Sequence, residues 1–208
     1  VVEKRISFIQ HDPNFLNQYV EVNGFPDEEG ASRHLASTLL LKIFQNNMNA
    51  AYTADFKNRE VQFLFYASQL RPNKNVLTLL RAFEYLLRKR YIGYKLFLTG
   101  DPRHMSEVSD FVRKNRLEND VIFLNEISVS ELAACYQLAA LAVNPTLSEG
   151  GCPFTFTEAL SVGTPVVMSR ISVAEEVLTD PVLQEVTFFD PYSWQDCANR
   201  IEWAIIHR

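Results

Sequence analysis

The chain has 208 residues, of which 47% are hydrophobic and 22% charged, with 15 Phe and 8 Tyr. This composition excludes disorder, a collagen-like repeat and low complexity, and the length allows one large domain or one domain with part of a second. A net charge of −5 excludes a general polyanion-binding surface, which needs clustered Lys and Arg, so no nucleic-acid partner is expected. The cysteines Cys135, Cys152 and Cys197 match neither a disulfide framework nor a zinc site and point to reduced thiols in a cytoplasmic protein. No stretch approaches the roughly 18 consecutive apolar residues of a membrane span. The opening Val1-Val2-Glu3-Lys4-Arg5 is not expected to be a signal peptide. Because Val1 stands where an initiator Met would, a fragment of a longer polypeptide is expected.

Residues 1–60 contain a turn-rich acidic break at Gly24-Phe25-Pro26-Asp27-Glu28-Glu29-Gly30, an expected helix over Ala31–Asn49 and a frayed end at Asn46-Asn47-Met48-Asn49. They are too short for a complete α/β domain, so they are read as a linker or the remnant of a missing N-terminal domain. From Val61 onward, apolar runs alternate with amphipathic segments. Strands are expected at Val61–Ala67, Lys95–Thr99, Val121–Leu124, Leu141–Asn144, Pro165–Met168 and Glu185–Phe189. Helices are expected at Val76–Arg90, Met105–Asn115, Ser130–Leu138 (capped by Ser128 or Ser130), from about Phe154, and at Ser193–His207. Strand, helix, strand units of this kind build an α/β fold with a doubly wound parallel sheet over residues 61–208.

In such a sheet ligands bind beyond the carboxyl ends of the strands. The loop after Leu141–Asn144 carries Glu149, the adjacent glycines Gly150 and Gly151, and Cys152 ahead of a helix N-terminus. Glycines there permit close backbone approach, and the helix end favours an anion. Glu158 is expected in the first turn of that helix, where a carboxylate can accept two sugar hydroxyls, with Glu149 facing the other end of a ligand. The alternative is that Glu158 only complements the helix dipole and the glycines only make a turn. The loop after the first strand, Ser68-Gln69-Leu70-Arg71-Pro72-Asn73-Lys74-Asn75, offers Arg71 and Lys74 to a diphosphate, the first as a bidentate fork and the second as a point charge. The alternative there is a solvated turn. His11, His34, His104 and His207 lie on scattered segments, and no metal site is expected.

From about Val61 to the end these residues resemble the nucleotide-sugar-binding C-terminal half of GT-B glycosyltransferases, a Rossmann-like domain, and specifically the large retaining family four. The segment Ser68 to Asn75 is similar to the family's Gly-Arg-Leu-x-x-x-Lys-Asn, and Lys95–Asp101 to its strand ending in Gly. Glu149-Gly150-Gly151 through Glu158, followed by Gly163-Thr164-Pro165-Val166-Val167, is similar to the family's paired-glutamate signature with its Gly-Thr-Pro-Val-Val. Asp190-Pro191-Tyr192 before the final helix fits as well. Three departures stand out: Gln69 replaces the usual arginine of the phosphate-binding pair, Ser68 replaces glycine, and eight residues instead of seven separate Glu149 from Glu158.

The resemblance implies an enzyme moving a hexose such as mannose, with retention, from a nucleoside diphosphate sugar to a glycan or lipid-linked acceptor in polysaccharide biosynthesis. It implies Lys74 and Glu149 as catalytic residues, and Arg71, Gly150, Gly151, Cys152 and Glu158 as substrate-binding residues. No metal and no cofactor are expected. The acceptor would be held by the missing N-terminal domain, so this chain alone is expected to be inactive or nearly so, and peripheral membrane contact of the full protein is left open. The alternatives are a nucleotide-sugar epimerase of the same architecture and a non-catalytic α/β module that binds nucleotide or protein.

Overall fold

The computed structural model describes residues 61–207, together with the single residue Thr38. Thr38, within the expected helix Ala31–Asn49, is helical and exposed; the other expectations for residues 1–60 lie outside the described residues. The strands are β1 (Phe63–Tyr66), β2 (Lys95–Thr99), β3 (Val121–Leu124), β4 (Leu141–Asn144), β5 (Val166–Ser169) and β6 (Phe188–Phe189). All pair in parallel, in the order β3-β2-β1-β4-β5-β6. The chain winds outward from β1 in one direction and then from β4 in the other, which is the doubly wound α/β arrangement expected.

Alternation along the strands divides the core into two layers. Leu64, Leu96, Leu98 and Val143 face a layer formed by α1 (Val76–Lys89), α2 (Ser106–Lys114) and α7 (Trp194–Ile206). Phe63, Phe65, Phe97 and Met168 face α3 (Val129–Leu138), α4 (Phe154–Ser161) and the short α5 (Ser172–Val177). α1 buries Val76, Leu79, Leu80, Phe83 and Leu86, the spacing of one helical stripe, and places Arg88 and Lys89 at its negative end. On the other layer the Phe63 and Phe97 rings stack at 4.2 Å, and Phe65 meets Tyr136 edge-on at 4.9 Å. Cutting either Phe back to Ala would cost about 3–5 kcal/mol. Ser128 caps α3 in a capping box with Glu131, which settles which of the two serines serves.

The expected strand Glu185–Phe189 is corrected: only Phe188–Phe189 is strand, and Glu185 lies in a helix, α6 (Pro181–Thr187). The physical reason is local. Asp180 accepts hydrogen bonds from the backbone N–H groups of Val182 and Leu183, and Pro181 pre-sets the first helical residue. The expected first strand loses its ends at Val61, Gln62 and Ala67, and β5 begins one residue after Pro165.

Candidate functional site

The strand order reverses between β1 and β4, so their following connections leave the sheet in opposite directions and open a crevice at its carboxyl edge. After β1 the chain enters a 3-10 turn, Pro72–Lys74, started by Pro72 and ended by Asn75 in a left-handed conformation (φ 53°). After β4 it runs from Pro145 to Pro153 and into α4. Four hydrogen bonds tie these connections together. Leu147 N–H donates to the Asn73 carbonyl at 2.8 Å, and the Thr146 hydroxyl approaches the same carbonyl at 3.2 Å. Asn73 Nδ2 reaches Ser148 O at 3.5 Å, and Asn75 Nδ2 donates to Pro145 O at 3.1 Å. Within the β4 connection, Thr146 Oγ1 also lies 3.0 Å from Ser148 O.

Lys74 and Glu149 meet across the crevice. Lys74 Nζ donates to Glu149 Oε1 at 2.7 Å and Oε2 at 2.8 Å, with each side chain about one-fifth exposed. A cleft of about 240 Å3 beside them is lined by Tyr66, Ala67, Ser68, Gln69, Arg71, Lys74, Glu149, Phe154 and Thr155. Tyr66 forms its buried floor. Burial pushes that phenol up, a hydrogen bond with Ser68 opposes the shift, and the charge of Glu149 adds to it. Arg71 is exposed at the cleft edge. Gln69, where the resemblance has an arginine, stands in the wall as a neutral group.

The structure therefore brings Arg71, Lys74 and Glu149 to one cleft but distributes the remaining candidates around it. Gly150, Gly151 and Cys152 are exposed beyond the tied part of the loop. Neither glycine has a positive φ, and a Cβ on either would meet nothing within 4 Å. The alternative, that the glycines only make a turn, therefore finds no support in their backbone conformation. What they leave is open space ahead of α4, into which a ligand can approach the backbone.

Glu158 is also corrected. It is the fifth residue of α4, and no acidic residue occupies the first turn, so it does not complement the dipole there. It is buried, 9% exposed, and faces Tyr136 of α3. Burial first and the Glu158 carboxylate second push the Tyr136 phenol well above its ordinary range.

Residues missed in the sequence include Asn75 and Thr146, which hold the two connections together, and Asn144, whose Nδ2 donates to Thr155 Oγ1 at the start of α4. Only Asn75 had a local signal, an Asn between a proline turn and a helix, which suits a left-handed residue. Among the described residues, no group of three or more His, Cys, Asp or Glu could hold a metal ion. Among them, too, no helix is long and apolar enough to cross a membrane.

The model of the glycosyl transferases group 1 family matches residues 53–208. The O-antigen chain mannosyltransferase RfbU of Salmonella typhimurium is 30% identical over 165 residues, covering 78% of this chain and 44% of that protein. The O-antigen chain mannosyltransferase B of Escherichia coli is 30% identical over 120 residues, covering 57% of this chain and 31% of the relative. The chain thus spans less than half the length of these curated relatives.

Among solved structures, the C-terminal domain of the group 1 glycosyl transferase LpcC from Francisella tularensis superposes with a TM-score of 0.60. It has 18% identity and covers 80% of this chain and 87% of that one. Anabaena HepE, solved with UDP and glucose, gives a TM-score of 0.62 at 20% identity, covering 81% of this chain and 42% of that one. These structural likenesses establish the fold, and the family match extends over most of the sequence: this chain belongs to the glycosyl transferases group 1 family.

Proposed function

We propose that the chain is the donor-binding part of a retaining, family-four glycosyltransferase that moves a hexose from a nucleoside diphosphate sugar to a glycan or lipid-linked acceptor. The observation that carries this reading is the pairing of Lys74 with Glu149 across the switch-point cleft, with Arg71 at its edge and the open start of α4 beside it. The two relatives named for mannose transfer to O-antigen support mannose as the sugar.

Lys74 would exchange its carboxylate partner for the diphosphate and stabilise the charge that develops on it as the glycosidic bond breaks. Arg71 supplies a second cation from the cleft edge, compensating for neutral Gln69. Glu149, released from Lys74, orients hydroxyls of the transferred sugar near the reacting carbon. Backbone N–H groups over Gly150, Gly151 and Cys152 meet phosphate oxygens at the start of α4. Glu158 holds the ribose hydroxyls from one turn further in. The step requires neither a metal ion nor an organic cofactor.

Residues 1–60 are read as a linker or remnant of the acceptor-binding domain, and 61–208 as the donor domain. Acceptor binding then needs chain that the longer relatives possess, so these 208 residues bind donor but turn it over slowly or not at all. The three free cysteines support a cytoplasmic location.

The test is calorimetric titration of the chain with GDP, UDP, ADP, GDP-mannose and UDP-glucose, without added metal. Saturable binding of one nucleotide and its sugar conjugate, lost in Lys74→Ala and Glu158→Ala, is expected. Binding that survives both substitutions would overturn the reading, as would ordinary transferase turnover by the isolated chain for its inactivity.

A further inference from the structure

Asn75 joins three connections at the carboxyl edge of the sheet. Its left-handed backbone turns the chain from the 3-10 segment carrying Lys74 into α1. Its Nδ2 donates to Pro145 O at 3.1 Å in the connection after β4, and to Pro191 O at 2.8 Å in the connection after β6. Its Oδ1 accepts from the Thr78 hydroxyl at 2.8 Å. Both carbonyls are acceptors only, so the amide has one workable orientation, and the Thr78 donor holds it there. The backbone is satisfied too: Asn75 N–H donates to Pro72 O at 3.1 Å, and its carbonyl accepts from Thr78 N–H at 3.1 Å.

Lys74 immediately precedes this junction, and Glu149 lies four residues beyond Pro145. A lysine has four rotatable stem bonds, so its ammonium is placed only as well as the backbone beneath it. We propose that Asn75 is a positioning residue for the diphosphate site: its amide clamps the Lys74 turn to the Glu149 connection and so fixes where the ammonium is offered to a nucleoside diphosphate. This rests on the reading of Lys74 as the diphosphate cation.

Asn75→Gly tests it, because glycine keeps the left-handed backbone without strain and removes only the clamp. UDP and GDP are titrated against the wild-type chain, Asn75→Gly, Lys74→Ala and the double variant, with thermal melting measured on each. Asn75→Gly is expected to weaken binding about tenfold, and Lys74→Ala to weaken it strongly in the wild-type background but only two- to threefold in the Asn75→Gly background. A role confined to stability would instead give the same Lys74→Ala loss in both backgrounds, and that result overturns the inference while leaving the site reading intact. Absence of nucleotide binding by the wild type, or no loss on Lys74→Ala, overturns the site reading and the inference with it. Should Asn75→Gly fail to fold, Thr78→Val replaces it in the same cycle. Releasing Oδ1 should then weaken binding two- to threefold and shrink the Lys74→Ala loss in the same direction, and an undiminished loss overturns the inference.

Discussion

The connection after β4 has two parts that differ sharply. From Pro145 to Glu149 nearly every step is tied down: Pro145, Leu147 and Ser148 bond to Asn73 or Asn75, Thr146 is fully buried, and Glu149 is locked on Lys74. From Gly150 to Cys152 the chain is exposed, and its glycines have empty space where a side chain would be. The contrast teaches how one loop can serve two purposes. The fixed part defines where charge is presented, and the open part leaves room at the start of α4 for a ligand to approach the backbone.

The largest expected effect is on the fixed side. Lys74→Ala should weaken nucleoside diphosphate binding by about 1.5–3 kcal/mol, the range for hydrogen bonds to charged groups, measured by calorimetry. An unchanged affinity would mean that the fixed part holds structure and not ligand. Glu158→Ala, behind the open part, should cost about 1–3 kcal/mol of nucleotide affinity, and the loss should vanish for a nucleotide whose ribose lacks both hydroxyls. An equal loss for that analogue would remove the ribose assignment.

Thr146→Val should destabilise the fold by about 1 kcal/mol in denaturant titrations, because a buried hydroxyl shared between two carbonyls is lost. The smallest effect belongs to the open part. Gly151→Ala should leave folding stability within about 0.5 kcal/mol, since neither space nor φ opposes a methyl group. If its nucleotide affinity nevertheless falls, the open space is ligand space; if neither quantity moves, the contrast reduces to ordinary surface exposure.

Much of this architecture is legible in the sequence because buried parallel strands are short apolar runs. Lys95–Thr99, Val121–Leu124 and Leu141–Asn144 emerge with the bounds their composition suggests. The run Glu185 to Phe189 misleads for the same reason: Val186, Thr187, Phe188 and Phe189 favour strands, and the competing helix start lies at Asp180-Pro181, outside the run.

At the site, residue types at a strand-to-helix turn mark Lys74 and Glu149 as candidates, but not that they touch. Their contact spans 75 positions and depends on β1 lying beside β4. The burial of Glu158 was also hidden: α4 begins at Phe154 as expected, but Glu158 is its fifth residue, just past the first turn, and its facing depends on how α4 packs beside Tyr136 of α3. The hub role of Asn75 needs three connections to converge, which no local pattern encodes.

The wide sequence separation of Lys74 and Glu149 also bears on how the molecule folds. Between them the chain must complete α1, β2, α2, β3, α3 and β4 before β1 and β4 can pair in the Leu64 to Leu141 register. Closing so long a loop is entropically opposed until the parallel pairing is in place, and non-local parallel contacts of this kind form slowly. The cleft is therefore among the late features of the folding reaction, and it exists only in chains whose sheet halves have joined. A nucleotide that binds it draws on the native population alone, so the midpoint of thermal unfolding should rise with nucleotide concentration.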